Sequence, residues 1–541
     1  MKISQLVTTV AATLTLVEAE EFLIRLKAPK TLAKLIENKF SDDFLNAFTE
    51  GKILKTFSFG KFEGFTVDFP INSISKLRNN PLIAEIVPNV EFNVFDGEMP
   101  DEKPETGDRE DNGNGEKDEK DEYDDEDDDD EDDDGGEMDE DDSENDESDD
   151  ESDDDEEDDD ELSDIISQKF SPRHLARISR RSALPYNPND VDTAASNFSY
   201  YFDKNFLGTC VNAYVIDTGI HKEHKEFGGR AKFGADLVGE GPGDLNGHGT
   251  HVAGLIGSKT YGVAKDVTLI EVKALNAKGQ GNLTSVISAI EFAVNHCRES
   301  KRGCVANLSL GSFRNSVLNQ AVEAALEAGV VIVVAAGNSN ANACWSSPAS
   351  SMSALTVGAF DDRTDTIARF SNWGNCVDIF APGVRVYSLA NKAPFAPVAY
   401  SGTSMASPIV SGMAALLLDS GVHPLDVKSG IMELATDSVF HKRSLLFKPG
   451  TPNRILFTGI DKQDDFFDDA VYPGIDIDQL VNDLANYNKD GHVAEDDATL
   501  PLGEIKLNRR AQFTTLKPFM KPLYATAAAE PACTTYSAAA Y

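Results

Sequence analysis

Residues 211–219 read Val-Asn-Ala-Tyr-Val-Ile-Asp-Thr-Gly, and this stretch decides the fold class. A largely apolar run of this length is typical of a parallel strand that is buried on both faces. The run ends in Asp217, which a Thr-Gly pair follows. Ligands of open α/β sheets bind at the carboxyl ends of the strands, so Asp217 is a candidate functional residue. Taken alone, an Asp before Thr-Gly is more often a turn former.

Similar apolar runs recur between residues 163 and 460 and alternate with helical stretches. The runs cover 267–272, 305–310 and 330–336, and the helical stretches cover 284–295 and 319–328. Strands that alternate with helices favour a parallel sheet covered by helices on both faces. We therefore predict an α/β domain over residues 163–460.

Residues 20–95 predict a small α+β domain ahead of it. Alternating apolar and polar residues indicate strands at 21–27, 57–69 and 83–95, with Gly60 and Gly64 as possible turns. Helical periodicity runs from Thr31 and again over 71–78. The order strand–helix–strand–strand–helix–strand is the split βαβ pattern.

The first nineteen residues have the features of a secretory signal peptide. Lys2 supplies a positive charge, residues 6–17 carry no charge, and Val17-Glu18-Ala19 offers small residues for cleavage. A buried N-terminal strand is the alternative. No later apolar run reaches the ~18–20 residues that span a bilayer. We predict a secreted or extracellular protein without a transmembrane segment, for which the cell wall or a vacuole-like compartment is a further option.

The net charge of −44 is concentrated between residues 101 and 162, which hold 42 Asp and Glu against 4 Lys and Arg. Too few apolar residues lie there to offset the entropy of ordering, so we predict a disordered linker over 96–162. It is a solvated spacer or, alternatively, a polyanion that gathers calcium or cationic partners. It would repel nucleic acid, which we exclude as a partner. The extension at 461–541 is predicted to be mostly disordered.

A second block, Asn-Gly-His-Gly-Thr-His at residues 246–251, places a glycine on each side of His248. The glycines allow the backbone to approach the imidazole closely. Two histidines three residues apart also suggest a metal site, but the glutamate of a His-Glu-x-x-His motif is missing.

The third block, Gly-Thr-Ser-Met-Ala-Ser-Pro at residues 402–408, begins a helical stretch. Ser404 would lie at the N-terminus of that helix, where an ordinary N-cap is one interpretation. In the functional interpretation, the backbone N–H groups and the helix dipole stabilise an oxyanion beside the serine. Asn338, which follows an apolar run and one glycine, can add a donor amide.

In the order Asp, His, Ser, these blocks resemble the motifs of the subtilisin family, and most closely its proteinase K and cerevisin branch. The segments at 174–179 and 380–383 resemble further parts of that branch. The resemblance implies a serine endopeptidase that acts on proteins or peptides. Ser404 would attack the peptide carbonyl, His248 would transfer the proton, and Asp217 would orient the imidazole.

The resemblance also implies how the substrate is held, without a catalytic cofactor. Asn338 and the N–H of Ser404 would form the oxyanion hole. The strand that pairs with an extended substrate matches Ser309, Leu310 and Gly311. The wall of the S1 pocket matches Ala335, Ala336 and Gly337.

Calcium is implied as a structural cofactor. Asp378 matches a calcium-ligating aspartate of proteinase K, with backbone carbonyls near Met352 and Ala354 as its companions. Oxygen ligands of this kind suit calcium. A strand-end aspartate satisfied by nearby amides is the alternative.

The six cysteines fit an oxidising compartment, but the sequence alone leaves their pairing open. By resemblance to related subtilases, Cys344 pairs with Cys376. Cys210 matches a bridged cysteine of proteinase K and would pair with Cys297, with Cys304 as the competitor.

Residues 20–95 resemble the inhibitory pro-domain of the family, which implies a zymogen whose own tail lies in the cleft. We expect a first self-catalysed cut within residues 95–100. The dibasic pair Arg180-Arg181 is a second candidate site for a processing protease. It is less favoured, because a cut there would remove the segment at 175–179.

The main alternative function is a catalytically silent protein with the subtilase fold, whose acidic tract binds cations or partners. All four candidate catalytic positions are intact, which argues against it.

Overall fold

The computed structural model describes residues 21–27, 52–68, 77–78, 80–94, 164–186, 196, 198–393 and 395–460. Strands and helices are numbered along these residues. The predicted signal peptide, acidic linker and C-terminal extension lie outside them, as do the helix predicted from Thr31 and most of the one predicted at 71–78.

The N-terminal strands form a four-stranded antiparallel sheet. They are β1 (Glu21–Leu26), β2 (Lys52–Phe59), β3 (Phe62–Asp68) and β4 (Ile83–Pro88), in the spatial order β2-β3-β1-β4. The chain reverses between β2 and β3 at Gly60, whose φ of 50° is left-handed and favours glycine. The stretch predicted as one strand at 83–95 is two, because β5 (Glu91–Val94) joins a different sheet.

A mostly parallel sheet forms the centre of the part after residue 164, which confirms the predicted α/β class. Its strands are β8 (Val211–Asp217), β9 (Ala231–Asp236), β10 (Thr268–Lys273), β12 (Gly303–Leu308), β14 (Val331–Ala335), β16 (Leu355–Asp361), β17 (Thr366–Ile367), β18 (Ile379–Pro382), β21 (Thr436–Asp437) and β22 (Arg454–Ile455). Their order is β21-β22-β18-β16-β14-β12-β8-β10-β9, and β17 pairs with β16. Only β17 and β21 run antiparallel to their described neighbours.

Shorter strands surround this sheet. β6 (Ile165–Gln168) pairs with β7 (Tyr200–Asp203), and β19 (Val386–Ser388) pairs with β20 (Val398–Tyr400). A further sheet has the order β11-β5-β13-β15, with β11 (Gln280–Asn282), β13 (Leu310–Phe313) and β15 (Ser346–Ser347).

Seven α-helices are described within these residues. They are α1 (Arg173–Ile178), α2 (His248–Gly257), α3 (Leu283–Ser300), α4 (Ser316–Glu327), α5 (Thr403–Asp419), α6 (Val427–Leu434) and α7 (Lys442–Leu445). A capping box starts α3: Asn282 Oδ1 accepts from the N–H of Ser285, and Ser285 Oγ accepts from the N–H of Asn282. In the described part of the chain, no helix has both the length and the hydropathy needed to cross a membrane.

The central sheet is buried on both faces, as β8 illustrates. Ala213 and Val215 lie in the hydrophobic core shared with α2 and α5. Tyr214 and Ile216 point to the opposite core, shared with α3 and α4. Because successive side chains of a strand point to opposite faces, a strand with two buried faces has an apolar run without alternation.

The N-terminal sheet packs on the α3 and α4 side of the molecule. Phe57, Phe59 and Phe62 belong to the same buried core as the apolar faces of those helices. The N–H of Ser58 donates to Glu291 on α3 at 2.7 Å. These contacts fix the N-terminal sheet against the larger part of the chain.

The segment before β7 is part of the packed structure. The guanidinium of Arg177 is fully buried and donates to both carboxylate oxygens of Asp365 at 2.9 Å. Arg180 is also buried, and the guanidinium of Arg181 stacks 4.1 Å from the ring centroid of Phe457. Both arginines of the predicted dibasic site are therefore engaged in tertiary contacts.

Candidate active site

Asp217 ends β8 and lies directly against His248, the first residue of α2. Asp217 Oδ1 accepts a hydrogen bond from His248 Nδ1 at 2.8 Å and another from the N–H of Thr218 at 2.7 Å. Both side chains are buried. A carboxylate can only accept, so Nδ1 carries the proton and Nε2 is the nitrogen able to act as a base.

The close approach of α2 to β8 depends on Gly249. A methyl group at Gly249 would lie 2.2 Å from the carbonyl oxygen of Gly219 and 3.1 Å from Asp217 Oδ1. Any side chain at this position would push the helix away from the strand. The glycine after His248 therefore sets the distance between the imidazole and the carboxylate.

Asp244 organises the same corner, although the sequence analysis did not single it out. Its Oδ1 accepts from the hydroxyl of Thr218 at 2.9 Å and from the N–H of Gly247 at 2.8 Å. Its Oδ2 accepts from the N–H and the hydroxyl of Thr250, at 2.9 and 2.6 Å. The carboxylate thus joins the loop after β8 to the start of α2. An Asp four residues before His248, in a loop containing Asn and Gly, was the available signal.

Ser404, the second residue of α5, is fixed to the strand predicted to bind substrate. Ser404 Oγ donates to the carbonyl oxygen of Ser309 at 3.4 Å. In return, Ser309 Oγ donates to the carbonyl oxygen of Ser404 at 3.0 Å. That carbonyl would ordinarily accept from the N–H of residue 408 in the helix, but Pro408 has no N–H.

The two halves of the site meet because β8 and β12 are parallel neighbours. Asn307 lies opposite Val215 in their register. Ser309, two residues further on, therefore reaches the sheet edge at which Asp217 ends β8. The sheet places the serine and the Asp–His pair at one edge, although 187 positions separate Asp217 from Ser404.

Asn338 is oriented by Thr403, the residue before the candidate nucleophile. Asn338 Oδ1 accepts from the N–H of Thr403 at 2.9 Å and from its hydroxyl at 2.8 Å. The hydroxyl oxygen in turn accepts from the N–H of Gly337 at 3.0 Å. With Oδ1 engaged in this way, the amide nitrogen is the group that Asn338 can direct at a substrate oxygen. Thr403 was part of the quoted serine block but was not predicted to have this role.

The predicted wall of the S1 pocket begins at the last residue of β14. Ala335, Ala336 and Gly337 are all buried. Asn372, which the sequence analysis missed, holds the last two: its Nδ2 donates to the carbonyl of Ala336 and its N–H to the carbonyl of Gly337, both at 2.8 Å.

The predicted substrate strand is paired with the N-terminal region of the same chain. β5 lies between β11 and β13 and runs antiparallel to both. Val94 lies opposite Leu310, and Asn93 lies opposite Gly311. Phe92 is fully buried in the core formed by α3 and α4. The N-terminal region thus adds a strand to the cleft by β-augmentation.

Comparisons with known proteins show the family to which the chain belongs. The profile of the subtilase family matches residues 212–450. Subtilase-type proteinase RRT12 of Saccharomyces cerevisiae is 43% identical over 510 residues, which cover 91% of this chain and 96% of that protein. The chain belongs to the subtilase family.

Other relatives of this subtilase are similar over a shorter part of it. The crystal structure of a cold adapted subtilisin-like serine proteinase matches with a TM-score of 0.46 at 39% identity, covering 54% of this chain and 99% of that one. Subtilisin-like serine protease Rho m 2.0101 of Rhodotorula mucilaginosa is 41% identical over 310 residues, 54% of this chain and 86% of that protein. By family, the subtilase is a serine protease, and the silent alternative is not favoured.

The disulfides of the subtilase agree only in part with those expected. Cys344 is bonded to Cys376, as predicted, with a Cα–Cα distance of 5.3 Å. Cys297 is bonded to Cys304 at a Cα–Cα distance of 6.1 Å, so the predicted bond between Cys210 and Cys297 is wrong. Cys297 lies in the last turn of α3 and Cys304, seven residues later, lies near the start of β12, and a left-handed turn at Lys301 brings them together. Cys210 takes part in a different disulfide.

The groups predicted to bind calcium surround the side chain of Lys428. Lys428 Nζ lies 2.8 Å from Asp378 Oδ2 and donates to the carbonyl oxygens of Met352 at 3.1 Å and Ala354 at 2.7 Å. The predicted ligands are thus already bonded to an ammonium group and do not fit a calcium ion as they stand. In the described part of the chain, no cluster of three or more His, Cys, Asp or Glu is placed to hold a metal.

His251, the second histidine of its block, has a structural position. Its Nε2 lies 3.1 Å from the carbonyl oxygens of Val386 and Val398, and its ring stacks on Tyr400 with centroids 4.6 Å apart. Burial, together with the nearby His248, lowers the pKa of His251 to about 3. The ring is therefore neutral and donates from Nε2, and its carbonyl contacts and the stacking on Tyr400 make it part of the packed structure.

Proposed function

We propose that this subtilase is a secreted endopeptidase, made as a zymogen, that hydrolyses peptide bonds in proteins with Asp217, His248 and Ser404. The observation that carries the proposal is the buried 2.8 Å hydrogen bond between Asp217 Oδ1 and His248 Nδ1 at the sheet edge that Ser404 shares. Relatives named as proteases support the same reaction.

In the proposed reaction, Ser404 Oγ attacks the carbonyl carbon of the scissile bond while His248 Nε2 takes up the hydroxyl proton. Asp217 stabilises the imidazolium that forms. The proton then passes to the leaving amine nitrogen as the C–N bond breaks, and an ester remains on Ser404. Water, activated by His248, hydrolyses the ester and regenerates the serine.

Two donors stabilise the negative oxygen of the tetrahedral intermediate in this proposal. One is the Nδ2 of Asn338, whose orientation Thr403 supports through two hydrogen bonds to Oδ1. The other is the N–H of Ser404 near the N-terminus of α5. Donors fixed in advance stabilise a developing charge without a cost of reorganisation.

The zymogen part of the proposal rests on β5. A substrate in extended conformation would need the same edges of β11 and β13 that β5 occupies. The N-terminal sheet, packed on α3 and α4, holds β5 in place. The N-terminal region is therefore proposed as the intramolecular inhibitor, and its removal as the step that frees the cleft.

We assign the first self-cut to the bond between Phe95 and Asp96, within the range expected from the sequence. The antiparallel register pairs Asn93 with Gly311 and Val94 with Leu310. Val94 thus lies opposite the residue that follows Ser309, whose carbonyl oxygen accepts from Ser404 Oγ, so we expect the cut soon after Val94. A cut at Arg180-Arg181 is disfavoured because both side chains are engaged in tertiary contacts.

Labelling with a fluorophosphonate tests the nucleophile. The secreted wild-type protein should be labelled, and Ser404→Ala should not. Ser407→Ala is the matched control, since Ser407 lies on the same helix and bonds to Asn307. Equal labelling of the wild type and Ser404→Ala would refute the proposed triad.

N-terminal sequencing tests the maturation separately. Wild-type protein should yield a first intermediate that begins at Asp96, and Ser404→Ala should remain uncut there. A mature form that begins at Ser182 would contradict the proposed order of cuts while leaving the triad untouched.

A further inference from the structure

Lys428 occupies the centre of an oxygen cluster at the end of the central sheet away from the candidate triad. Its ammonium nitrogen lies within 3.1 Å of three oxygens: Oδ2 of Asp378 and the carbonyls of Met352 and Ala354. An ammonium group has three N–H donors, so each donor has one acceptor. Asp378 precedes β18, and Ala354 precedes β16, so the cluster gathers the starts of two neighbouring strands.

The position of the ammonium is set by a helix packed into the core. Lys428 is the second residue of α6, and its neighbours Val427 and Ile431 are fully buried in the core shared with α5. Asp378 is held independently, because its Oδ2 also accepts from the N–H of Thr356 at 2.8 Å. The ammonium of Lys428 and the carboxylate of Asp378 are therefore each held in position by the surrounding structure.

A calcium ion could not enter this cluster beside Lys428. Calcium binds about six to eight oxygens at roughly 2.3–2.6 Å, and the cluster would place its two positive charges against the ammonium. Calcium would need Lys428 to leave the only carboxylate of the cluster.

We propose that Lys428 is a built-in cation that replaces a metal ion at this site, so that the cluster of Asp378, Met352 and Ala354 is stable without calcium. The ammonium joins α6 to the starts of β16 and β18 by charge and by three hydrogen bonds. The proposal does not depend on the proposed proteolytic function.

The test removes the ammonium and asks whether a metal takes its place. Thermal unfolding is measured with the full chain carrying Ser404→Ala, which prevents self-digestion, in EDTA and in saturating calcium chloride. Lys428→Ala should unfold at a lower temperature in EDTA and regain about 5 °C or more in calcium, the shift expected from a ligand at about 100 times its Kd. Lys442→Ala, which removes an exposed lysine from α7, is the charge-matched control.

The proposal holds if the calcium-dependent shift of Lys428→Ala exceeds that of both the parent chain and Lys442→Ala. It fails if the three proteins shift equally, or if Lys428→Ala does not respond to calcium. Lys428→Met, which keeps most of the side-chain length, replaces Lys428→Ala in this test if the alanine variant does not fold. A crystal of the chain with Lys428 intact, grown in calcium, gives a second readout: anomalous density between Asp378 and Ala354 would overturn the proposal.

Discussion

The hydroxyl of Ser309 donates a 3.0 Å hydrogen bond to the carbonyl oxygen of Ser404, in the place of a helical N–H that Pro408 cannot supply. Ser309 Oγ also accepts from the Nδ2 of Asn307 at 2.9 Å. All of these groups are buried. The proline therefore leaves room for a bond between the helix of the proposed nucleophile and the strand proposed to pair with substrate.

Ser309→Ala should destabilise the protein and slow the reaction. The substitution removes the hydrogen bonds that Ser309 Oγ makes with the buried Ser404 carbonyl and with the Asn307 amide, at about 0.5–1.5 kcal/mol for each bond. We expect a lower unfolding temperature and a kcat reduced by about tenfold, since about 1.4 kcal/mol of lost transition-state alignment corresponds to that factor.

Pro408→Ala provides the matched test of this reasoning. It restores an N–H four residues after Ser404, so the helix can satisfy the carbonyl itself. Ser309→Ala should then be less damaging in the Pro408→Ala background than alone, as a double-mutant cycle would show. Equal losses in both backgrounds would contradict the role given to the proline.

Asp244→Asn should lower kcat strongly while the protein still folds. The amide keeps one acceptor oxygen, but its NH₂ group would face donors that now bond to a carboxylate oxygen. The loop after β8 and the start of α2 would separate, so we expect kcat to fall by about 10²-fold, as small misplacements in an active site do. Asp426→Asn, at an exposed position, is the control and should be close to wild type in steady-state kinetics.

Substitutions at the proposed oxyanion hole should lower kcat to different degrees. Asn338→Ala should lower kcat by about 10²–10³ with little change in KM, a magnitude inherited from an equivalent amide in a related subtilisin. Thr403→Val removes one of the two hydrogen bonds that orient Asn338 and should have a smaller effect. Thr403→Ser keeps the hydroxyl and should recover most of the activity. A Thr403→Val variant with normal kcat would show that the hydroxyl does not position the amide.

Acid should destabilise the folded chain through two buried histidines. Burial lowers the pKa of His174 to about 4 and, with His248 contributing, that of His251 to about 3. Below about pH 6.5 the unfolded chain binds protons at these two histidines, whereas the folded chain does not. The contribution of the two neutral histidines to the free energy of unfolding is therefore complete above about pH 6.5 and is lost as the pH falls. Each pH unit between about 6.5 and 4 should cost about 1.4 kcal/mol per histidine.

His174→Gln tests this pH dependence. Glutamine can still donate to the carbonyl of Tyr261, which His174 Nε2 contacts at 3.0 Å, but it does not titrate. Urea unfolding of the Ser404→Ala chain should show a shallower loss of stability between about pH 6.5 and 4 with His174→Gln than without it. His441→Asn, at an exposed helix cap, is the matched control. A slope no shallower for His174→Gln than for His441→Asn would refute the assignment.

Features carried by short local patterns were predictable from the sequence. The apolar runs of the central sheet follow from burial on both faces, and the order of the Asp, His and Ser blocks pointed to the family that the profile match confirms. The N-terminal strands were also predicted from the alternation of apolar and polar residues, although the structure buries both faces of β3 and not one. These signals depend on neighbours in the chain, which a sequence displays directly.

Other features were decided by contacts that the order of residues does not display. Cys297 bonds to Cys304 because a tight turn after α3 brings them together, and Lys428 fills the predicted calcium cluster because α6 packs beside β16 and β18. The three-dimensional arrangement also placed Asp244 between the loop after β8 and the start of α2. The sequence by itself determined which chemical groups and which strands the subtilase has. The tertiary structure decided which donor meets which acceptor, since hydrogen bonds and ion pairs depend on distances of a few ångströms that residue order alone does not contain.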